Sequence, residues 1–150
     1  MFRRILVATG GSPWSQHAVD TAVRLAAAEG AQLCIVHVLE DDPQYQPQAM
    51  SSADPQFRAE MEETGQRILA QASQRAAQEK VSHDTIVEWG AIPEQIVRAA
   101  LQARCDVIVM GTRHLTGDKR LMTGRICNAV IATAPCPVLV VPLVQDADGI

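Results

Sequence analysis

Four short, nearly unbroken runs of apolar residues recur along the chain. They lie at residues 5–9 (ILVAT), 33–39 (LCIVHVL), 107–110 (VIVM) and 138–141 (VLVV). Runs of this kind are typical of strands that are buried on both faces, as in the middle of a parallel sheet. The alternating segment 84–89 (DTIVEW) predicts a fifth strand, at a sheet edge.

The segments between these runs carry apolar residues at helical spacing. Ser12 and Pro13 predict a capped start for the first helix, and Gly30 predicts its end. Further helices are predicted at residues 57–80, after the turn that follows the edge strand, and at residues 124–133. Strands and helices therefore alternate, and each helix supplies the crossover that parallel strands need. This order predicts an α/β fold, a doubly wound parallel sheet with helices on both faces.

Three segments break the alternation. Residues 40–56 contain three prolines and many polar residues, which predicts a long mobile loop that is either disordered or a lid over a site. Residues 112–123 are predicted to form a glycine-bearing loop, and residues 145–150 a polar tail. The remainder has the size of one ordinary domain, and we expect a single domain over residues 1–150.

Composition narrows the classes of function. Asp and Glu outnumber Lys and Arg by 17 to 13 and aromatic residues make up 3% of the chain, so we expect no nucleic-acid binding. No apolar stretch is long enough to span a membrane and no signal-peptide pattern is present, so we expect a cytoplasmic protein. The four cysteines and four histidines lack the spacing of a zinc site, so no metal site is predicted.

Two predicted strands end in glycine, which places candidate chemistry at one edge of the sheet. Gly10 follows the first strand and Gly111 the fourth, where parallel sheets bind ligands. These glycines either let a ligand approach the backbone or simply turn the chain. The segment from Arg113 to Arg125 carries a formal charge of +3 on an otherwise acidic chain, which suits an anion as well as it suits a solvated loop. No Walker lysine motif and no nucleophile elbow is present.

Three stretches of sequence resemble the universal stress protein family. They are RRILVATGGSPWSQHAV, WGAIPEQIV, and CDVIVMGTRHLTG together with TGRICNAVIATAPCPVLVVP. The resemblance spans residues 3–142 and implies a five-stranded parallel sheet in the order 3-2-1-4-5. It also implies a nucleoside and phosphate site whose lining includes Ala8, Val38, Met110, Ile126 and Cys127.

The resemblance also implies an altered nucleotide motif. ATP-binding members carry G-2x-G-9x-G-[S/T], and here Gly111 and Gly124 keep the first and third glycines. His114 replaces the second glycine, and Arg125 replaces the serine or threonine. Gly10 stands where those members carry an aspartate that holds the nucleoside. The anion candidates are therefore Gly10, Gly111, Arg113, His114, Gly124 and Arg125.

The sequence thus favours a homodimeric stress-response or regulatory binding module with a degenerate nucleotide site that binds ATP weakly or not at all. The alternative is a switch that binds ATP or AMP and hydrolyses ATP slowly at most. No catalytic residue and no firm cofactor is assigned, so an enzyme is not expected; ATP, AMP or another small anion is the candidate ligand. The dimer is predicted to form through the last strand, because an edge strand exposes backbone donors and acceptors. Its interface residues are Val138, Leu139, Val140 and Val141.

Overall fold

Strands and helices alternate along the whole described part of the chain. The computed structural model describes residues 1–41, 54–114 and 124–144. The strands are β1 (Arg4–Ala8), β2 (Gln32–Glu40), β3 (His83–Gly90), β4 (Val107–His114) and β5 (Val138–Val144). The helices are α1 (Pro13–Glu29), α2 (Pro55–Gln78), α3 (Ile92–Gln102) and α4 (Arg125–Thr133).

The five strands form one parallel sheet in the order β3-β2-β1-β4-β5, which confirms the predicted fold class. β1 lies in the centre, and its residues Ile5, Leu6 and Val7 are completely buried. Alternate side chains of the strands point to opposite faces of the sheet. Ile5 and Val7 pack into the layer that contains α1 and α2, whereas Leu6 packs into the layer that contains α3 and α4. The two apolar faces of the sheet are thus covered by different pairs of helices.

The ends of α1 follow the sequence signals. The Ser12 side chain accepts a hydrogen bond of 3.2 Å from the backbone N–H of Ser15, and Pro13 occupies the first turn, where no N–H is needed. Gly30 ends the helix in the left-handed conformation, with a φ of 64°. The segment that connects β1 to β2 is thus helical from Pro13 to Glu29.

Two predicted boundaries are wrong at the end of β4 and β5. The loop predicted at residues 112–123 is wrong at its start, because Thr112 and Arg113 continue β4 and pair with Pro142 and Leu143 of β5. Pro142, predicted to bound the last strand, therefore lies inside it. An edge strand tolerates proline because only one of its sides needs backbone donors. The rest of the loop prediction, residues 115–123, lies outside the described residues.

The predicted loop at 40–56 is shorter at both ends. Glu40 belongs to β2, Asp54 caps α2 by accepting a hydrogen bond from the N–H of Gln56, and Pro55 begins that helix. The rest of this loop, residues 42–53, and the predicted tail at 145–150 lie outside the described residues. None of the helices in the described ranges is long and apolar enough to cross a membrane.

Candidate functional site

A cleft of about 620 Å³ opens at the carboxyl ends of β1 and β4. The first turns of α1 and α4 flank it, and the end of β2 and the start of α3 close one side. In parallel α/β sheets, ligands bind at this edge, where the chain leaves neighbouring strands in opposite directions. The cleft is therefore the candidate functional site.

The structure brings together nearly all of the residues predicted for a nucleotide or anion site. The lining contains Ala8, Gly10, Val38, Met110, Gly111, Arg113, Gly124, Arg125, Ile126 and Cys127. His114 is the remaining candidate; its backbone ends β4, and its side chain lies outside the described part of the structure. The lining also contains residues that were not predicted from the sequence, namely Thr9, Ser12, Trp14, Ser15, Val36, His37, Ile92, Ile96 and Thr112. Most of these flank the strand ends that were already singled out, and their position beside Gly10 and Gly111 is the signal that could have identified them.

Gly111 is needed for the packing of α1 against β4. A Cβ at this position would overlap the backbone carbonyl oxygen of Trp14 and lie 2.6 Å from the carbonyl carbon. Real Cβ atoms do not approach backbone this closely, so the first turn of α1 can sit on β4 only where the strand has no side chain. The first glycine of the altered motif thus has a structural role whether or not a ligand is bound.

Gly10 and Gly124 differ from Gly111 and from each other. A Cβ at Gly10 would meet no atom of the described part of the chain within 4 Å, and the φ of Gly10 is not in the left-handed region. Gly124 also has open space around it, but its φ of 92° and ψ of 155° strain any other residue. It precedes α4, whose first turn has no side-chain cap. The cleft therefore contains unoccupied space at Gly10 and a helix start at Gly124.

Three hydroxyl groups beside β1 form a closed cluster. Thr9 Oγ1 donates to Ser15 Oγ at 3.3 Å, and Ser12 Oγ donates to the same atom at 3.0 Å. Ser15 Oγ in turn donates to the backbone oxygen of Ser12 at 3.0 Å, while the N–H of Gly11 donates to Thr9 Oγ1 at 3.3 Å. All three hydroxyl protons are thus used within the protein, so these groups hold the start of α1 against the end of β1.

The side chain of His37 is also engaged in a hydrogen bond within the protein. It is buried beside the cleft, and its Nδ1–H donates to the backbone oxygen of Thr9 at 2.8 Å. The α2 backbone passes close by at Gly65, where a Cβ would lie 2.9 Å from Cδ2 of the imidazole. His37 therefore joins β2, the end of β1 and α2, and its position is set by packing.

Two arginines supply the charge of the cleft. Arg113 is exposed at the end of β4, with its guanidinium carbon 5.2 Å from the centre of the Trp14 ring. Arg125 is exposed at the first position of α4. No Asp or Glu occurs among the described residues that line the cleft. The site is thus cationic at its rim.

A pair of cysteines lies at the opposite end of the sheet. Cys34 Sγ accepts a hydrogen bond of 3.7 Å from Arg4, and Cys105 precedes β4 at its amino end. A hydrogen bond from the Cys105 thiol, helped by the charge of Arg4, lowers the pKa of Cys34 to about 7. The same hydrogen bond and burial raise the pKa of Cys105. Because this pair is remote from the cleft, it supplies no nucleophile there, and no group of metal ligands occurs among the described residues.

Comparisons with known proteins agree with the fold and with the resemblance. The model of the universal stress protein family matches residues 1–142. Universal stress protein YxiE of Bacillus subtilis is 33% identical in an alignment 150 positions long that covers 94% of this chain and 99% of that protein. A crystal structure of a universal stress protein family member from Burkholderia pseudomallei is 30% identical, with a TM-score of 0.70 and coverage of 93% of this chain and 96% of that chain.

A second similar structure holds a ligand. It is a universal stress protein in complex with cAMP, 25% identical, with a TM-score of 0.68 and coverage of 93% of this chain and 97% of that chain. Sequence, fold and the position of the cleft thus lead to one assignment: the chain belongs to the universal stress protein family.

Proposed function

We propose that this protein is a homodimeric stress-response or regulatory binding module whose cleft binds ATP weakly or not at all. The observation that carries the proposal is the space at Gly10, where a Cβ would meet no atom of the described residues within 4 Å. ATP-binding relatives place a carboxylate at this position, and the described cleft lining supplies no other. A ribose hydroxyl would find no carboxylate acceptor, and the nearby hydroxyl groups are engaged with one another.

The second candidate function is an ATP- or AMP-binding switch with slow hydrolysis at most. It is supported by the start of α4, where backbone N–H groups without a side-chain cap favour a phosphate group. The cAMP complex of a family member supports the same reading. The first function is favoured because Gly10 removes a specific contact, whereas a helix start alone attracts many kinds of anion.

Calorimetric titration with ATP and Mg²⁺ tests the proposal. We expect a dissociation constant in the high-micromolar range or weaker, which corresponds to a binding free energy of about −5 to −6 kcal/mol at most. ATP that copurifies with the protein, or a sub-micromolar constant, contradicts the proposal.

The variant Gly10→Asp sharpens this test. Because the backbone at Gly10 is unstrained and a Cβ meets no atom of the described residues within 4 Å, this position accepts a side chain without backbone strain. One restored charge-assisted hydrogen bond should tighten ATP binding by about 1.5–3 kcal/mol. Gly10→Asn has nearly the same shape without the charge and is the matched control. Equal affinities for the two variants would show that the missing carboxylate does not limit binding.

The homodimer part of the proposal rests on the edge of the sheet. Among the described strands, β5 pairs with β4 only, so its other side presents backbone donors and acceptors. Leu139 on this strand is 40% exposed, whereas Val141 on the same face is buried. A second copy that pairs with β5 about a two-fold axis would satisfy these groups and bury Leu139.

A further inference from the structure

We propose that the cleft binds an aliphatic anion, a carboxylate carried by a medium-length unbranched hydrocarbon chain. This inference rests on the function proposed above, because it names a ligand class for the same cleft. The cleft volume of about 620 Å³ falls within the range of about 300–1,000 Å³ that is usual for small-molecule sites. Three properties of the cleft walls favour such a ligand.

The first property is that the walls are aliphatic. Three half-buried side chains stand over a floor of buried ones, and contact with an apolar ligand would remove further apolar surface from water. The half-buried residues are Val38, Ile92 and Ile126, and the buried floor consists of Val36, Ile96 and Met110.

The second property is that the polar side chains at the end of β1 and on β2 are already engaged within the protein. The hydroxyl protons of Thr9, Ser12 and Ser15 are donated within their own cluster. His37 donates its Nδ1 proton to the Thr9 carbonyl. Besides His37, Trp14 is the one aromatic residue among the described lining residues. Its ring centre lies 5.2 Å from the guanidinium carbon of Arg113. A sugar would therefore lose hydrogen bonds to water and gain no hydroxyl proton from Thr9, Ser12 or Ser15 in exchange. A base that stacked on Trp14 would have to displace the Arg113 guanidinium.

The third property is the charge at the rim. Arg113 and Arg125 both line the cleft and are both exposed, and the described lining contains no acidic side chain to oppose an anion. Guanidinium groups bind carboxylates through paired N–H donors. An anionic head at the rim and a hydrocarbon chain over the aliphatic floor match this distribution, whereas a nucleotide needs polar contacts along its whole length.

The experiment compares three probes on the whole protein by equilibrium dialysis, with each amphiphile below its micelle concentration. Decanoate has the proposed anion and chain, 1-decanol has the chain without the charge, and ATP has the charge without the chain. We expect decanoate to bind at least about tenfold more tightly than either of the others, as expected for charge-assisted hydrogen bonds added to apolar burial.

Two variants locate the anion site. The double variant Arg113→Gln with Arg125→Gln should weaken decanoate by about tenfold or more and leave 1-decanol unchanged. Arg98→Gln removes one guanidinium charge from an exposed position on α3 outside the cleft and should change neither probe. Equal loss of decanoate binding in Arg98→Gln would contradict the assignment of the two rim arginines.

The outcomes separate this inference from the function on which it rests. Decanoate that binds no more tightly than 1-decanol overturns the aliphatic anion but leaves weak nucleotide binding intact. ATP that binds more tightly than decanoate also overturns it, and a sub-micromolar ATP constant overturns the proposed function as well. Preferential decanoate binding that requires the two arginines supports the inference.

Discussion

Replacing Gly111 by alanine should destabilise the fold far more than the same change at Gly10. At Gly111 the new Cβ would overlap the Trp14 carbonyl oxygen, which belongs to the first turn of α1. A helix backbone cannot rotate away as a side chain does, so α1 would have to shift as a unit or separate from β4. At Gly10 the new methyl group meets no atom within 4 Å.

The expected changes in the free energy of unfolding follow from the surroundings of each glycine. Overpacking of a well-packed core costs about 1–3 kcal/mol and occasionally more, and we expect Gly111→Ala at the upper end, about 3 kcal/mol, because backbone is displaced. Gly10→Ala should lie within about 1 kcal/mol of the wild type, with a stabilising sign, because alanine restricts the unfolded chain. Gly124→Ala should cost about 1–3 kcal/mol through its positive φ alone.

Urea unfolding followed by tryptophan fluorescence measures all three variants. With a slope of about 2 kcal/mol per molar urea, a loss of about 3 kcal/mol lowers the midpoint by about 1.5 M. Protein concentration is held constant, since self-association would shift the midpoint. If Gly111→Ala and Gly10→Ala unfold at the same urea concentration, the close contact between α1 and β4 is not what requires a glycine.

Two other predictions concern parts of the sheet remote from the cleft. Cys34 should form thiolate with a midpoint near its pKa of about 7 in a pH titration followed by absorbance at about 240 nm. In Cys105→Ala the midpoint should rise, because the main hydrogen-bond donor to Cys34 is lost. An unchanged midpoint would show that this hydrogen bond does not lower the pKa of Cys34. Leu139→Lys should weaken self-association in sedimentation equilibrium because it places a charge at the edge of β5, whereas Leu101→Lys, at a leucine 58% exposed on α3, is the matched control. A monomeric wild-type protein would contradict the dimer itself.

Periodicity predicted the elements correctly where burial alone decides them. The central strands are apolar because both of their faces are covered, and that demand is visible in the sequence. The ends of β4 and β5 were missed because Arg113 and Pro142 have no strand signal of their own. Their extended conformation comes from the pairing of β4 with β5, in which Arg113 lies opposite Leu143 and Pro142 opposite Thr112, and the residue pattern does not record such pairing.

The site was predictable in outline for a similar reason. Glycines at strand ends located the cleft. The reason why position 111 requires glycine could not be predicted, since the Trp14 carbonyl approaches it from a distant part of the chain. The hydroxyl cluster of Thr9 and Ser15 was hidden as well, because its hydrogen bonds depend on how α1 leaves β1. Sequence thus indicated where chemistry could occur, and the three-dimensional contacts determined which groups remain available for it.

The central position of β1 also has a consequence for the order in which the chain can fold. One side of β1 pairs with β2, which follows directly, but the other side pairs with β4, where Ile5 lies opposite Val107. During synthesis, most of the chain must emerge before that second side is covered. Contacts between such distant segments slow folding and leave an apolar strand open to association with other chains meanwhile. The slowest step of refolding is therefore expected to be the docking of β4 onto a preformed β1-α1-β2 unit.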